Sequence, residues 1–176
     1  RYNIKSFWHG LSRCWRPSRA WISWKSAHRL ELLGIATPKP LGMRENRIGP
    51  LRREAYLLTE HVEGENLQAW LLRHGGERIP EWLDREICSL FERMWQGAIS
   101  HGDMKATNLI VCDQSLFVID LDALAHHRGR SRFLKHYRRD LQRFMDNWQG
   151  ETWQHFERLL QPLAGRAGIT FVNKKV

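Results

Sequence analysis

A stripe of apolar residues, followed by a polar loop and two short apolar runs, constrains this chain most. Leu83, Ile87, Leu90, Phe91, Met94 and Ala98 recur at i, i+4, i+7, i+8, i+11 and i+15. That is the spacing of one face of a long helix, and such a face must be buried. Pro80 suits its first position. The polar run His101-Gly102-Asp103-Met104-Lys105-Ala106-Thr107-Asn108 comes next. Leu109 to Val111 and Leu116 to Ile119 follow, with Asp113-Gln114-Ser115 between them as a hairpin turn. A helix therefore delivers the polar loop and a β-hairpin ends it, which calls for a mixed α and β fold.

The rest of the chain alternates in the same way. A helix is expected from Pro17 or Ser18 to Leu33, stopped by Gly34. Trp21, Trp24, His28 and Leu32 share one of its faces, which is expected to pack in the core. Ala36 to Pro40 reads as extended and Tyr56 to Val62 as a strand. Glu63-Gly64 makes a turn before a short helix over about Asn66 to Arg73. A helix over Ser131 to Trp148 should turn Leu134, Tyr137, Leu141 and Phe144 inward, and a last one should cover Trp153 to Leu160.

Composition narrows the function classes. At 176 residues, with 42% hydrophobic and 27% charged residues, the chain has the make-up of a globular domain with a core. No window approaches eighteen consecutive apolar residues, so no simple membrane-spanning helix is expected. The basic N-terminus lacks the apolar segment of a secretory signal. Cys14, Cys88 and Cys112 are far apart and lack metal-ligand spacing, which fits a reducing cytosol better than a disulfide framework. The chain starts at Arg1 rather than Met, as a fragment would. Lys plus Arg is 28 against 19 acids, a formal +9, and the excess is clustered. Seven basic and no acidic residues lie between Arg1 and Leu30, and six and none between His126 and Arg139. Such clusters suit anionic partners, although a solvated basic face has the same composition.

The polar loop carries the chemistry. Asp103 and Asn108 are five apart, and Asp120, in Asp120-Leu121-Asp122, lies seventeen beyond Asp103. Phosphoryl transfer from ATP needs a carboxylate to orient the attacking hydroxyl and take its proton. It needs a cation to offset charge on the moving group, and oxygen ligands to hold Mg²⁺ on the phosphates. Asp103 suits the first role, Lys105 the second, and Asn108 with Asp120 the third. The spacing is that of a kinase catalytic loop, H-x-D-x-x-x-x-N, with a later metal-binding Asp. A polar turn capped by Asp103 and Asn108 is the plainer alternative, and Asp122 suits a solvated turn acid.

On these residues the chain resembles the lipopolysaccharide core kinase family, the Kdo and heptose kinases, which are minimal bacterial relatives of protein kinases. The resemblance runs from about Arg1 to Phe144. Ser18-Arg19-Ala20-Trp21 and Gly34-Ile35-Ala36-Thr37-Pro38 are part of it. Leu58-Thr59-Glu60-His61-Val62 resembles the hinge between two lobes, where the backbone of Glu60 and Val62 would hold adenine. Ile119-Asp120-Leu121-Asp122 stands in place of the protein-kinase DFG. Arg139-Asp140-Leu141 resembles a later helix whose acid, Asp140, would brace the catalytic loop. Lys105 sets the loop apart from antibiotic phosphotransferases, which usually carry His there.

The resemblance implies an α+β, protein-kinase-like fold: a partial N-lobe and hinge over 1–62, and a mostly helical C-lobe over 63–176. It implies ATP- and Mg-dependent phosphorylation of a sugar hydroxyl in the lipopolysaccharide inner core, by a protein at the cytoplasmic face of the inner membrane. Arg128, Arg130 and Arg132 would clamp anions of the lipid-linked acceptor. The basic N-terminal segment would touch anionic lipid, whereas nucleic acid is not expected. Two departures stand out. No phosphate-covering glycine loop or strand lysine is present, which implies that they lie upstream; Lys5 is a poor substitute. Ser23 occupies the position of the helix glutamate that would pair with that lysine, and Glu31 is the nearest acid. Two other readings remain: an atypical minimal protein kinase, and a non-catalytic kinase-like module binding anionic lipid or nucleic acid.

Overall fold

The computed structural model describes residues 17–49, 51–74 and 79–173. The expectations for the basic N-terminal segment, Lys5 and Cys14 lie outside the described residues. Helix α1 spans Arg19–Leu32. It begins where the Ser18 hydroxyl accepts the Trp21 N–H at 3.0 Å, and Gly34, at φ +69°, ends it as expected. Its buried face is not the expected one. Trp21 and Leu32 are 41% and 89% exposed, whereas Ala20, Ser23, Ser26, Ala27 and Leu30 are buried. The helix packs against the 3-10 turn Leu121–Ala123, and such a close approach accepts small side chains better than indoles.

Strands β1 (Pro40–Ile48) and β2 (Leu51–Thr59) form an antiparallel hairpin, with Met43 opposite Leu57 and Glu45 opposite Ala55. The sequence showed only the second half of β2, and its strand stops at Thr59, before Glu60. β1 escaped because PLGMRENRI does not alternate. Only Pro40 in it is buried, and backbone pairing with β2 holds the rest in place.

The second half is mostly helical. After β3 (Glu65–Asn66) come α2 (Leu67–Arg73), capped by the Asn66 carboxamide, and α3 (Glu81–Gln96). α3 buries Leu83, Ile87, Leu90, Phe91 and Met94 as expected, while Ala98 lies beyond its end at φ +47°. β4 (Ile99–Ser100) pairs with β7 (Ala125–His126), and the polar loop and hairpin leave and return between them. The hairpin is β5 (Leu109–Cys112) and β6 (Ser115–Val118), with β3 on its outer edge. Its turn residues Asp113 and Gln114 both have positive φ, the two-residue geometry that matches strand twist.

Helix α4 covers Arg130–Met145 and α5 covers Gly150–Ala167. α4 buries Phe133, Tyr137, Leu141 and Phe144, with Leu134 only half-buried, and stops before Trp148. α5 outruns the expected end at Leu160 and passes through Pro162, since Leu163, Ala164 and Ala167 continue its buried face. Phe91, Tyr137, Phe144, Trp148 and Phe156 interlock edge to face between α3, α4 and α5. The Tyr137 hydroxyl, deep in this cluster, donates to the Phe91 carbonyl at 3.0 Å. Cys88 and Cys112 are free thiols. Among the described residues no helix is long and apolar enough to cross a membrane.

Candidate active site

One face of α4 grips the polar loop. Asp140 is 1% exposed, and its two carboxylate oxygens accept the backbone N–H groups of His101 and Gly102 at 2.6 and 3.0 Å. Burial pushes its pKa up to about 7, against the pull of those two bonds. Three residues on, Arg143 Nε lies 3.5 Å from Asp103 Oδ1. Four further on, the Asn147 carboxamide accepts the Ala106 N–H at 3.2 Å. Positions 140 and 143 share a face of α4 and Asn147 follows just past its end, so the end of this helix fixes both ends of the run 101–106. Gly102 sits at φ +86°, and a Cβ there would meet the Ala123 carbonyl at 2.9 Å. A side chain at this bend would push the loop off Asp140.

His101 points inward. It is 1% exposed, and burial holds its imidazole below the usual histidine range despite the Ile119 bond and the nearby acids. A neutral ring satisfies both neighbours: Nε2–H donates to the Ile119 carbonyl at 2.9 Å, and Nδ1 accepts the Asp103 N–H at 3.3 Å. Asp103 is thereby turned outward, half-buried. Its carboxylate meets Lys105 Nζ at 2.5 Å. Burial alone would raise its pKa, but the Lys105 bond and the charges of Lys105 and Arg143 outweigh that and hold it below the carboxylate range. Asn108 donates its amide N–H to the Asp103 carbonyl at 2.9 Å, closing the loop on itself.

The hairpin brings Asp120 to this loop, because the Ile119 N–H donates to the Asn108 carbonyl at 2.9 Å. Asp120 is exposed, at φ +60°. Asp122 turns back to Arg19 of α1 at 3.4 Å, and burial and the Asp120 charge raise its pKa. Among the described residues no His, Cys, Asp and Glu group has the form of a metal cluster. Among the described residues the Asn108 amide oxygen and the Asp120 carboxylate have no hydrogen-bond or ion-pair partner, and both are hard oxygen ligands that fit Mg²⁺. The segment before β1 ties the β5–β6 hairpin to the stretch that follows β2. Thr37 Oγ1 donates to the Val118 carbonyl at 2.7 Å, and the Glu60 N–H donates to the Lys39 carbonyl at 2.9 Å. Among the described residues the Val62 N–H makes no hydrogen bond.

Other candidates lie apart from this centre. Arg128, Arg130 and Arg132 are exposed at the start of α4, with Arg130 about 15 Å along the helix from Asp140. Ser23 is buried and its hydroxyl lacks a partner among the described residues, while Glu31 pairs with His28 at 3.0 Å. Sequence reasoning singled out Asp140 but passed over Arg143 and Asn147. Their spacing from Asp140 along a helix was the available signal.

A β-hairpin and one helix, a short connector and a mostly helical half bearing this loop make the fold protein-kinase-like. The chain belongs to the lipopolysaccharide kinase (Kdo/WaaP) family, whose model matches residues 4–161. It is 23% identical over 158 residues to a 3-deoxy-D-manno-octulosonic acid kinase of Photobacterium damsela subsp. piscicida, covering 89% of this chain and 58% of that protein. It is 27% identical over 85 residues to the lipopolysaccharide core heptose(I) kinase WaaP of Escherichia coli K12, covering 46% and 32%. A RIO-type serine/threonine-protein kinase, Rio1 of Haloferax volcanii, is 29% identical over 130 residues, covering 72% and 42%. The chain thus spans about three-fifths of the length of the Kdo kinases it matches. A solved structure of WaaP in complex with acyl carrier protein superposes with a TM-score of 0.57 at 16% identity, over 85% of this chain and 75% of that one.

Proposed function

We propose that the protein transfers the γ-phosphoryl group of ATP to a sugar hydroxyl, Kdo or heptose, of the lipopolysaccharide inner core. The observation that carries this reading is an outward-facing, ionised Asp103 on a loop anchored by Asp140, with Lys105 and Asn108 beside it. Asp103 orients the acceptor hydroxyl and takes its proton as the oxygen–phosphorus bond forms. The bond from γ-phosphorus to the bridging oxygen breaks, and ADP leaves. Lys105 offsets charge on the moving group. Asn108 and Asp120 would hold Mg²⁺, which neutralises phosphate charge. The Glu60 carbonyl and the Val62 N–H would hold adenine, where the lobes of 1–62 and 63–176 meet.

The acceptor is lipid-linked, so the protein would work at the cytoplasmic face of the inner membrane, with its basic surface against anionic lipid. The similarity to Rio1 supports a second reading, a minimal protein kinase. The unpartnered Ser23, where a lysine-pairing glutamate would be sought, supports a third, a binding module without turnover.

Phosphotransfer from labelled ATP to purified lipopolysaccharide core, with Mg²⁺ and the full-length protein, tests the reading. Label on the sugar is expected, and Asp103→Ala should lower the rate by about 10²–10⁴-fold while the fold persists. An Asp103→Ala variant as active as the parent would sink the assignment. Label on added protein instead would select the second reading, and nucleotide binding without transfer the third.

A further inference from the structure

A cleft of about 400 Å³ opens beside Asp103, lined by Gly102, Asp103, Arg139, Gln142, Arg143 and Asp146. Two of these are already engaged. Gln142 donates to Asp146 at 2.8 Å and bonds both backbone groups of Val172, at 2.9 and 3.1 Å. The two arginines are not. Arg139 is exposed and makes no ion pair among the described residues. Arg143 approaches Asp103 most closely through Nε, at 3.5 Å, and none of its guanidinium nitrogens donates a hydrogen bond among the described residues. Four residues apart on α4, the two guanidinium groups lie one turn apart on the same face.

From this we infer that Arg139 and Arg143 form the acceptor's anion clamp. They would grip a carboxylate or phosphate of the sugar, and so bring the hydroxyl beside that anion onto Asp103. The inference rests on the kinase reading above and adds how the acceptor is chosen. An arginine fork recognises a planar carboxylate or a phosphate through paired N–H bonds, which a neutral sugar cannot accept with equal strength. Arg143 ties the clamp to the reaction centre, since the same side chain touches the general base. The exposed Arg128, Arg130 and Arg132, at the far end of α4, are left to the surrounding lipid or more distant phosphates.

Two measurements test the clamp separately from the kinase reading. In the first, kcat/KM is compared for the native acceptor and for one whose carboxylates are reduced to alcohols and whose phosphates are removed. Wild type should prefer the anionic acceptor, and Arg139→Gln should raise its KM about tenfold or more. That variant should lower the neutral acceptor's kcat/KM by much less than it lowers the anionic acceptor's. Arg139→Lys, which keeps charge but not the fork, should recover part of the loss. Equal losses on both acceptors, or none, would overturn the clamp.

The second measurement is calorimetric binding of the free eight-carbon sugar acid and of its methyl ester. The acid should bind and the ester should not, and Arg139→Gln and Arg143→Gln should each weaken the acid. Selective binding without phosphotransfer would sink the kinase reading and keep the clamp. Phosphotransfer with acid and ester bound alike would do the reverse.

Discussion

A carboxyl group that is 1% exposed and accepts two backbone N–H bonds has no room for a change of charge that its neighbours do not feel. Asp140 is such a group. Burial raises its pKa from the ordinary 3.8 to about 7, so between those values the folded chain keeps a proton that the unfolded chain has lost. This group's contribution to stability therefore falls as pH rises through that window, and is level above about 7. Nuclear magnetic resonance should show the His101 and Gly102 amide signals titrating together near pH 7. Asp140→Asn should remove that titration and flatten the slope of stability between pH 4 and 7. Signals that move independently would mean that the carboxyl does not hold both. Asp140→Ala leaves both amides unpaired and should cost about 2–5 kcal/mol by denaturant unfolding.

At the scale of elements, the hairpin of β5 and β6 has to place Asp120 accurately although each strand has only four residues. Its turn uses Asp113 and Gln114 at φ +45° and +63°, a conformation that costs free energy for side chains other than Gly or Asn. The double variant Asp113→Asn, Gln114→Gly should therefore gain about 0.5–1 kcal/mol in thermal unfolding. Unchanged or lower stability would show that the turn is not under this strain. The helix that faces the hairpin's loop works in a similar way. Asp140 and Arg143 meet the run 101–106 from the last turns of α4, and Asn147 meets it from the turn just past the helix end.

For the whole molecule the governing quantity is charge. A formal +9 is spread unevenly, and Arg128, Arg130 and Arg132 crowd the start of α4 with no acid in its first turn. The helix dipole is positive there too, so the arrangement costs stability unless an anion is nearby. Sedimentation with vesicles containing anionic lipid should therefore pull the protein down at low salt and release it as salt screens the attraction. Replacing the three arginines with glutamine should weaken partition by about 3 kcal/mol, or about 100-fold, at about 1 kcal/mol for each charge. Thermal stability of that variant should not fall. Partition indifferent to salt and to these residues would rule out an electrostatic contact with the bilayer.

The sequence by itself determined the elements whose signal is local. The α3 stripe, the Gly34 stop, the turn between β5 and β6 and the loop spacing from Asp103 to Asn108 depend on neighbours a few residues apart, and all could be read directly. Asp140 was legible only through family resemblance, since its partners at 101 and 102 lie far off in sequence. Tertiary structure alone decided three things. It chose which face of α1 is buried, because close packing on the turn after Asp120 favours Ala20 and Ala27 over Trp21. It made a strand of β1, whose polar residues are held by backbone pairing rather than by burial. It also placed Arg139 and Arg143, rather than the arginines at the start of α4, beside Asp103. A helix rises about 1.5 Å per residue, and only its last turns reach the loop that carries Asp103.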